Sequence, residues 1–327
     1  MYWSGPCSFQ PFVIGVRLMG MLLSVVLVIA ALLAGVVAYA AAIHHRLGRM
    51  KHLLRVRAER LQKDLIVATL LEGKRYCDPR HLCRFEAQVY SQHGEDGILS
   101  EILSRIGETN RVFVEIGSGD GHENNTRYRL DQGWSGFWFD ADEENVRRSR
   151  LAAPDTRVRA VHARMTTENV AHLMRDHAVP VAFDLLSLDI DRNTTHIWRA
   201  LGHLAPRVVV VEYNASIPRD DVWEVDYRAD AEWDGSLRFG ASLRAVQALG
   251  ESLGFVLVAC DLSGSNAFLV RRELVDDQFV GPFTARALYE PPRYYLTGRP
   301  GHPSRLNFEH VPEHQGSVQL RSAHDGR

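Results

Sequence analysis

The chain has 327 residues and a mass of 36.9 kDa, room for one large domain or two modest ones. Hydrophobic residues make up 46% and charged residues 24%, which excludes bulk disorder and collagen-like repeats. A formal net charge of −2 excludes the global basic field of a nucleic-acid-binding surface, and four scattered cysteines (Cys7, Cys77, Cys83 and Cys260) do not make a disulfide framework or a zinc knuckle, so they read as reduced thiols.

Residues 1–17 form a short N-terminal segment ahead of an apolar run from Leu18 to Ile43 that holds no charge. About 20 residues at 1.5 Å rise per residue cross a bilayer core, so residues 18–43 are expected to be a transmembrane helix. A cleaved signal peptide is the rival reading, because Ala38-Tyr39-Ala40 resembles a small-residue cleavage site. The run exceeds a signal core in length, and Arg46, Arg49, Lys51, Arg55, Arg57, Arg60 and Lys63 follow it. That charge bias keeps the C-terminal side in the cytoplasm, giving a single-pass anchor with a cytoplasmic catalytic domain. The same flank could rest on anionic headgroups. Met19 and Met21 are alternative starts.

Residues 44–84 read as a basic juxtamembrane helix and linker, with Leu47, Met50, Leu53, Leu54, Leu61, Leu65 and Leu70 spaced among charges. From 85 to 275 helical and strand-like segments alternate. Helix is expected near 100–106, 125–132, 143–151, 167–177, 195–201 and 242–253. Strands are expected near 111–116, 136–140, 156–162, 183–190, 207–212, 255–260 and 267–271. Such alternation predicts an α/β fold, a doubly wound and mostly parallel seven-stranded sheet covered on both faces. The turn Asp261–Asn266 makes the last two strands a hairpin, so the terminal strand should run antiparallel. Residues 276–327 are a Pro/Tyr-rich extension ending in a tail expected to be disordered from about Pro312.

The most informative motif is Val114-Glu115-Ile116-Gly117-Ser118-Gly119-Asp120-Gly121, placed where the first strand gives way to a helix. Ligands bind at that edge of doubly wound sheets. Glycines at 117, 119 and 121 let a ligand touch the backbone. His122 stands where the dinucleotide fingerprint G-x-G-x-x-G needs glycine, and no Gly-Lys-Ser/Thr follows as in a phosphate-binding loop. Asp140 ends the second strand and Asp142 follows it; an acid there is placed to accept hydrogen bonds from ribose hydroxyls.

With these residues the chain resembles the class I S-adenosylmethionine-dependent methyltransferases, and within them the FkbM-type O-methyltransferases. The resemblance covers about Val89 to Arg271. Besides the glycine motif it rests on Ser91-Gln92-His93-Gly94-Glu95-Asp96-Gly97, Glu123-Asn124-Asn125-Thr126, Gly133-Trp134-Ser135-Gly136, Ser187-Leu188-Asp189-Ile190-Asp191 and Val211-Glu212-Tyr213-Asn214. Asp140-Ala141-Asp142 departs from the Glu-Pro that many FkbM-type sequences carry there, leaving open which acid meets the ribose. The resemblance implies that Glu115, Gly117 and Gly119 line the methionine side of S-adenosylmethionine and that Asp140 holds the ribose, with Gly121, Asp142 and Asp189 completing the cofactor set.

A hydroxyl acceptor must lose a proton. Asp191, Glu212 and His93 are the candidate catalytic groups. Asp191, Glu212 and Asn214 are three oxygen ligands from two adjacent strand tips, a set that could hold Mg²⁺. The plainer alternatives are strand-capping acids and a hydrogen-bonded surface histidine. Glu95 and Asp96 could serve a helix N-terminus. The acidic loop Arg219–Gly235, with Trp223 and Trp233, has the position of a substrate lid. The expected activity is membrane-anchored methyl transfer to an oxygen of a sugar, a lipid-linked intermediate or a small metabolite. A non-enzymatic scaffold of the same fold is the alternative, and a nucleotide-dependent oxidoreductase a third.

Overall fold

The computed structural model describes residues 10–153 and 156–296. The expected residues 1–9 and the tail beyond 296 lie outside the described residues. The chain divides into two units, Met1–Gln62 and Lys63–Arg327, taken separately below.

The described part of the first unit, residues 10–62, is helical. It belongs to α1 (Gln10–Leu71), which continues through the expected 43/44 boundary without a break. Within α1, Met19–Arg55 contains an 18-residue stretch of mean hydropathy 2.9 and is long and apolar enough to cross a membrane. Its large apolar side chains are exposed, as in Leu32 and Val37 at 66% and 68%. A soluble helix would bury such a surface, and this one is apolar on every side.

The second unit takes in the last turns of α1. Ile66, Val67, Leu70 and Leu71 pack with Tyr76, Cys83, Leu262 and Leu296. The compact unit thus begins some 20 residues ahead of the expected position 85, because these leucines and isoleucines cover the end of the sheet. The sheet contains β1 (Val112–Ile116), β2 (Ser135–Asp140), β3 (Val158–His162), β4 (Ala182–Leu188), β5 (Ala205–Glu212), β6 (Phe255–Cys260) and β7 (Asn266–Arg271). Their order is β3-β2-β1-β4-β5-β7-β6. The first five are parallel, and β7 is antiparallel to both β5 and β6. This is the mostly parallel, doubly wound sheet expected, with the antiparallel end strand in place.

Period-two alternation explains the two covered faces. In β5, Val209 and Val211 enter one core while Val208 and Val210 enter the other. The covering helices include α2 (Glu95–Ile106), α3 (Arg127–Asp131), α4 (Glu143–Ala152), α5 (Val170–Asp176), α6 (Thr194–Ala200) and α7 (Leu243–Ser252). α7 starts at Ser242, whose hydroxyl accepts the Ala245 N–H at 3.2 Å. Strand order reverses between β1 and β4, so a crevice opens there at the carboxyl ends.

Candidate functional site

β1 delivers Glu115 and then bends at Gly117. A Cβ at Gly117, where φ is +88°, would stand 1.6 Å from the Asp189 carbonyl oxygen, so only glycine lets β1 and the end of β4 approach this closely. Gly119 faces open space. Gly121 has a different task from the one expected: its missing Cβ makes room for Ser149 of α4 and for Trp138. It is a packing position between helix and sheet.

The bend lines an open cleft of about 140 Å³, smaller than the usual small-ligand site. Its walls include Gln92, His93 and Glu95 before α2, Glu115 to Asp120 on the bend, Glu123 to Asn125 beyond it, Asp189 after β4 and Asn266 at the start of β7. Among the expected site residues, Glu115, Gly117, Gly119, Asp189 and His93 share this cleft.

Glu115 is buried and is held by four donors. Asn124 Nδ2 and Thr126 Oγ1 each donate at 2.6 Å, and the N–H groups of Asn125 and Thr126 at 2.9 and 3.3 Å. Burial raises its pKa, and these hydrogen bonds oppose the rise. Asp140 is likewise engaged: Gly119 N–H donates to it at 2.7 Å, Asp142 N–H at 2.9 Å and Asn145 Nδ2 at 3.2 Å. It fastens the glycine bend from the neighbouring strand. Asp142 caps α4 through the N–H groups of Glu144 and Asn145 and does not line the cleft. The N–H groups of Gly117 and Ser118 both donate to Phe139 O, so with Gly119 the bend has its donors turned into the protein.

His93 is 6% exposed; its own N–H donates to Glu95, and its Nδ1 is buried without a partner. Burial lowers its pKa, against the pull of Glu95, and so keeps the ring neutral. Glu95 also accepts from Asn266 Nδ2 at 2.7 Å. Asp96 accepts from the N–H groups of Val89, Tyr90 and Ser91. Both acids therefore order the segment before α2.

At the neighbouring tips, Asp189, Asp191 and Glu212 place carboxylate oxygens within 4.8 Å of one another. Glu212 is buried, and its Oε2 has no hydrogen-bond partner. Asp191 adopts a left-handed backbone, with φ +60°, a conformation that aspartate tolerates better than most residues. Asp189 is exposed and lines the cleft. Its pKa is raised, first by loss of water and then by the charges of Asp191 and Glu115. That of Glu212 is raised by burial and then by Asp189 and Asp191. Asn214 leaves this group: its Nδ2 donates to Leu237 O and Phe239 O, and its Oδ1 accepts from Ser216 N–H. Its amide pins the segment between β5 and α7, and Asp189 takes the place that the sequence analysis gave it. The loop that follows is tied down, by Asn193 Nδ2 to Arg228 O and by a bridge between Glu224 and Ala241.

Asn266 and Asn124 were not singled out from sequence. The only signal at Asn266 is a polar residue opening an otherwise apolar strand; Asn124 lies in a quoted motif to which no task was assigned.

No family model matches the chain, and no curated protein matches it. Solved structures do. The N-terminal domain of EvdMO1, determined with SAH bound, is 16% identical over 56% of this chain and 81% of its own, with a TM-score of 0.37. An S-adenosylmethionine-dependent methyltransferase from Mesorhizobium loti is 16% identical over 53% of this chain and 95% of its own, at TM-score 0.36. Another from Clostridium acetobutylicum ATCC 824 is 10% identical over 62% and 97%, at 0.35.

Proposed function

We propose that this chain is an S-adenosylmethionine-dependent methyltransferase of the FkbM type, held to a membrane by α1 with its second unit in the cytoplasm. The observation that supports this best is the cleft at the β1/β4 reversal, where Glu115, Gly119 and Asp189 meet over a bend whose Gly117, Ser118 and Gly119 N–H groups are not free to meet a ligand. A pyrophosphate needs such donors; an adenosyl sulfonium compound, which has no phosphate, does not. S-adenosylmethionine supplies a methyl group on a good leaving group. The protein's part is then alignment, worth about 7–11 kcal/mol at best, and removal of the acceptor's proton.

His93, neutral and with a free Nδ1 in the cleft wall, is placed to take that proton. Asp189 and Glu212, both raised in pKa, can relay or hold one. For Mg²⁺ the proposal moves from Asp191, Glu212 and Asn214 to Asp189, Asp191 and Glu212, whose oxygens converge and whose Glu212 Oε2 lacks a partner. A cation there would orient the acceptor oxygen. The acceptor class is an oxygen of a sugar, a lipid-linked intermediate or a small metabolite.

Isothermal titration of the full chain in nonionic detergent with S-adenosylmethionine tests the reading. Binding to the wild type and loss in Gly119→Arg is the expected result. Gly119 is the position to use: an arginine there meets no neighbouring atom and carries only the strain of a left-handed backbone (φ +55°), whereas any side chain at Gly117, at φ +88°, also collides with Asp189. Absence of binding to the wild type overturns the reading. Binding without turnover on any acceptor extract favours the scaffold alternative.

A further inference from the structure

The cleft is unbalanced in two respects. Five of its wall residues are carboxylates (Glu95, Glu115, Asp120, Glu123 and Asp189), and none is lysine or arginine. The nearest basic groups stand aside. Lys63 acts on His93 electrostatically without lining the cleft, and His122 is paired with Asp120 at 3.2 Å.

The hydrogen-bonding atoms are unbalanced in the same direction. Asn124 Nδ2 donates to Glu115, and Asn266 Nδ2 donates to Glu95. Carboxylates accept, so these contacts fix both amide orientations and leave each Oδ1 pointing elsewhere. Asn124 Oδ1, Asn266 Oδ1 and His93 Nδ1 are all buried without partners, on side chains that are 91% or more buried. Buried acceptors without donors are costly unless a ligand brings the donors.

We infer that the cleft selects a cationic, donor-bearing ligand, and that it therefore holds the sulfonium form of the cofactor more tightly than the thioether left after transfer. The inference rests on the proposed cofactor. Transfer breaks the sulfur–methyl bond, whose electron pair stays on sulfur; the methyl bonds to the acceptor oxygen, and the acceptor's proton goes to a protein base. The cofactor loses one positive charge and the ammonium remains. A wall of carboxylates feels that change, so the reaction weakens the grip on its own product.

The test compares S-adenosylmethionine, S-adenosylhomocysteine and an analogue bearing an amine in place of the sulfonium. Each is titrated into the full chain in nonionic detergent with EDTA present, which removes divalent cations as competing counter-charges. The expected result is at least tenfold tighter binding of S-adenosylmethionine than of S-adenosylhomocysteine, with the amine on the tighter side. In Glu123→Gln, which removes a wall carboxylate and leaves the Asp189, Asp191 and Glu212 group intact, the preference should shrink while S-adenosylhomocysteine still binds, which also shows that the variant is folded. Equal affinities in the wild type, or tighter binding of the thioether, overturn the inference and leave the proposed function standing. If none of the three binds, both fall.

Discussion

The tips of β1 and β2 and the tips of β4 and β5 carry acids of the same kind a few ångströms from one crevice, yet they are treated in opposite ways. Glu115 accepts four hydrogen bonds and Asp140 three, all from groups within the fold. Across the crevice, Asp189, Asp191 and Glu212 converge, and the buried Glu212 Oε2 has no donor. Acids whose lone pairs are filled act as clamps on the glycine bend. Acids pressed together against their mutual repulsion keep capacity for something the fold does not contain. The first pair shapes the site, and the second group is the part able to respond to a ligand.

The largest test of this contrast is Glu115→Ala. It strands the Asn124 and Thr126 side chains and two backbone N–H groups in a buried place. At about 1–3 kcal/mol for a buried donor left unmet, partly relieved by water, the loss should reach about 3–5 kcal/mol. Thermal unfolding of the full chain in detergent would show it as a fall of many degrees. A fall of only a degree or two would make Glu115 a ligand group rather than a clamp.

A pH series is the next in size. Asp261 is raised to about 7, mainly by burial, and Glu86, Asp189 and Glu212 are raised as well. An acid whose folded pKa exceeds its unfolded value binds more protons when folded, so stability falls as pH rises between the two values. The window runs from about pH 4 to the folded values near 7 and above. Asp78, Glu144 and Glu168, each lowered to about 2, work the other way but only below their ordinary carboxylate range. The midpoint should therefore drop by several degrees from pH 5 to pH 8. A midpoint that rises over that span would show these acids to be paired with cations.

Glu212→Gln sharpens the same side of the contrast. It replaces one of the three converging carboxyls with a group that cannot ionise, keeping the shape. The expected gain is about 1 kcal/mol of stability, together with loss of any Mg²⁺-induced shift in the melting temperature. Destabilisation with the Mg²⁺ response intact would mean that Glu212 is a structural anchor.

The strands and the mostly parallel, doubly wound sheet were legible in sequence because burial on both faces imposes unbroken apolar runs such as Val208–Val211, and the glycine motif marked the crevice; the strand order was not. Glu115, Gly117, Gly119 and Asp189 share the cleft as strand-end residues, whereas His93 precedes α2 and no strand position announces it. Side-chain partners were not legible. Nothing in Glu-Tyr-Asn says that Asn214 turns toward Leu237 and Phe239 while Asp189 joins Asp191 and Glu212, since that choice depends on a segment more than 20 residues away. Gly121 looked like Gly119 because spacing cannot tell a glycine facing a ligand from one facing Ser149. The contribution of α1's last turns to the second unit was hidden for a similar reason: leucines spaced among charges suit a stalk and a docking face equally.

The smallest effect concerns Asp142, which lies on the clamp side but at its outer edge. Its Oδ1 accepts the Glu144 N–H at 2.7 Å and the Asn145 N–H at 3.3 Å, the geometry of an N-cap. Removing such a cap costs about 0.5–2 kcal/mol, and because the residue is exposed the lower half of that range is expected for Asp142→Ala. Asp140 stays fastened to Gly119 in the variant, so affinity for S-adenosylmethionine should change less than twofold. Asp142→Asn, which keeps the capping oxygen, should restore the stability and leave the affinity where it was. A tenfold loss of affinity in both variants would instead assign the ribose to Asp142 and move the boundary between clamp and ligand group outward by one residue pair, from Gly119–Asp140 to the start of α4.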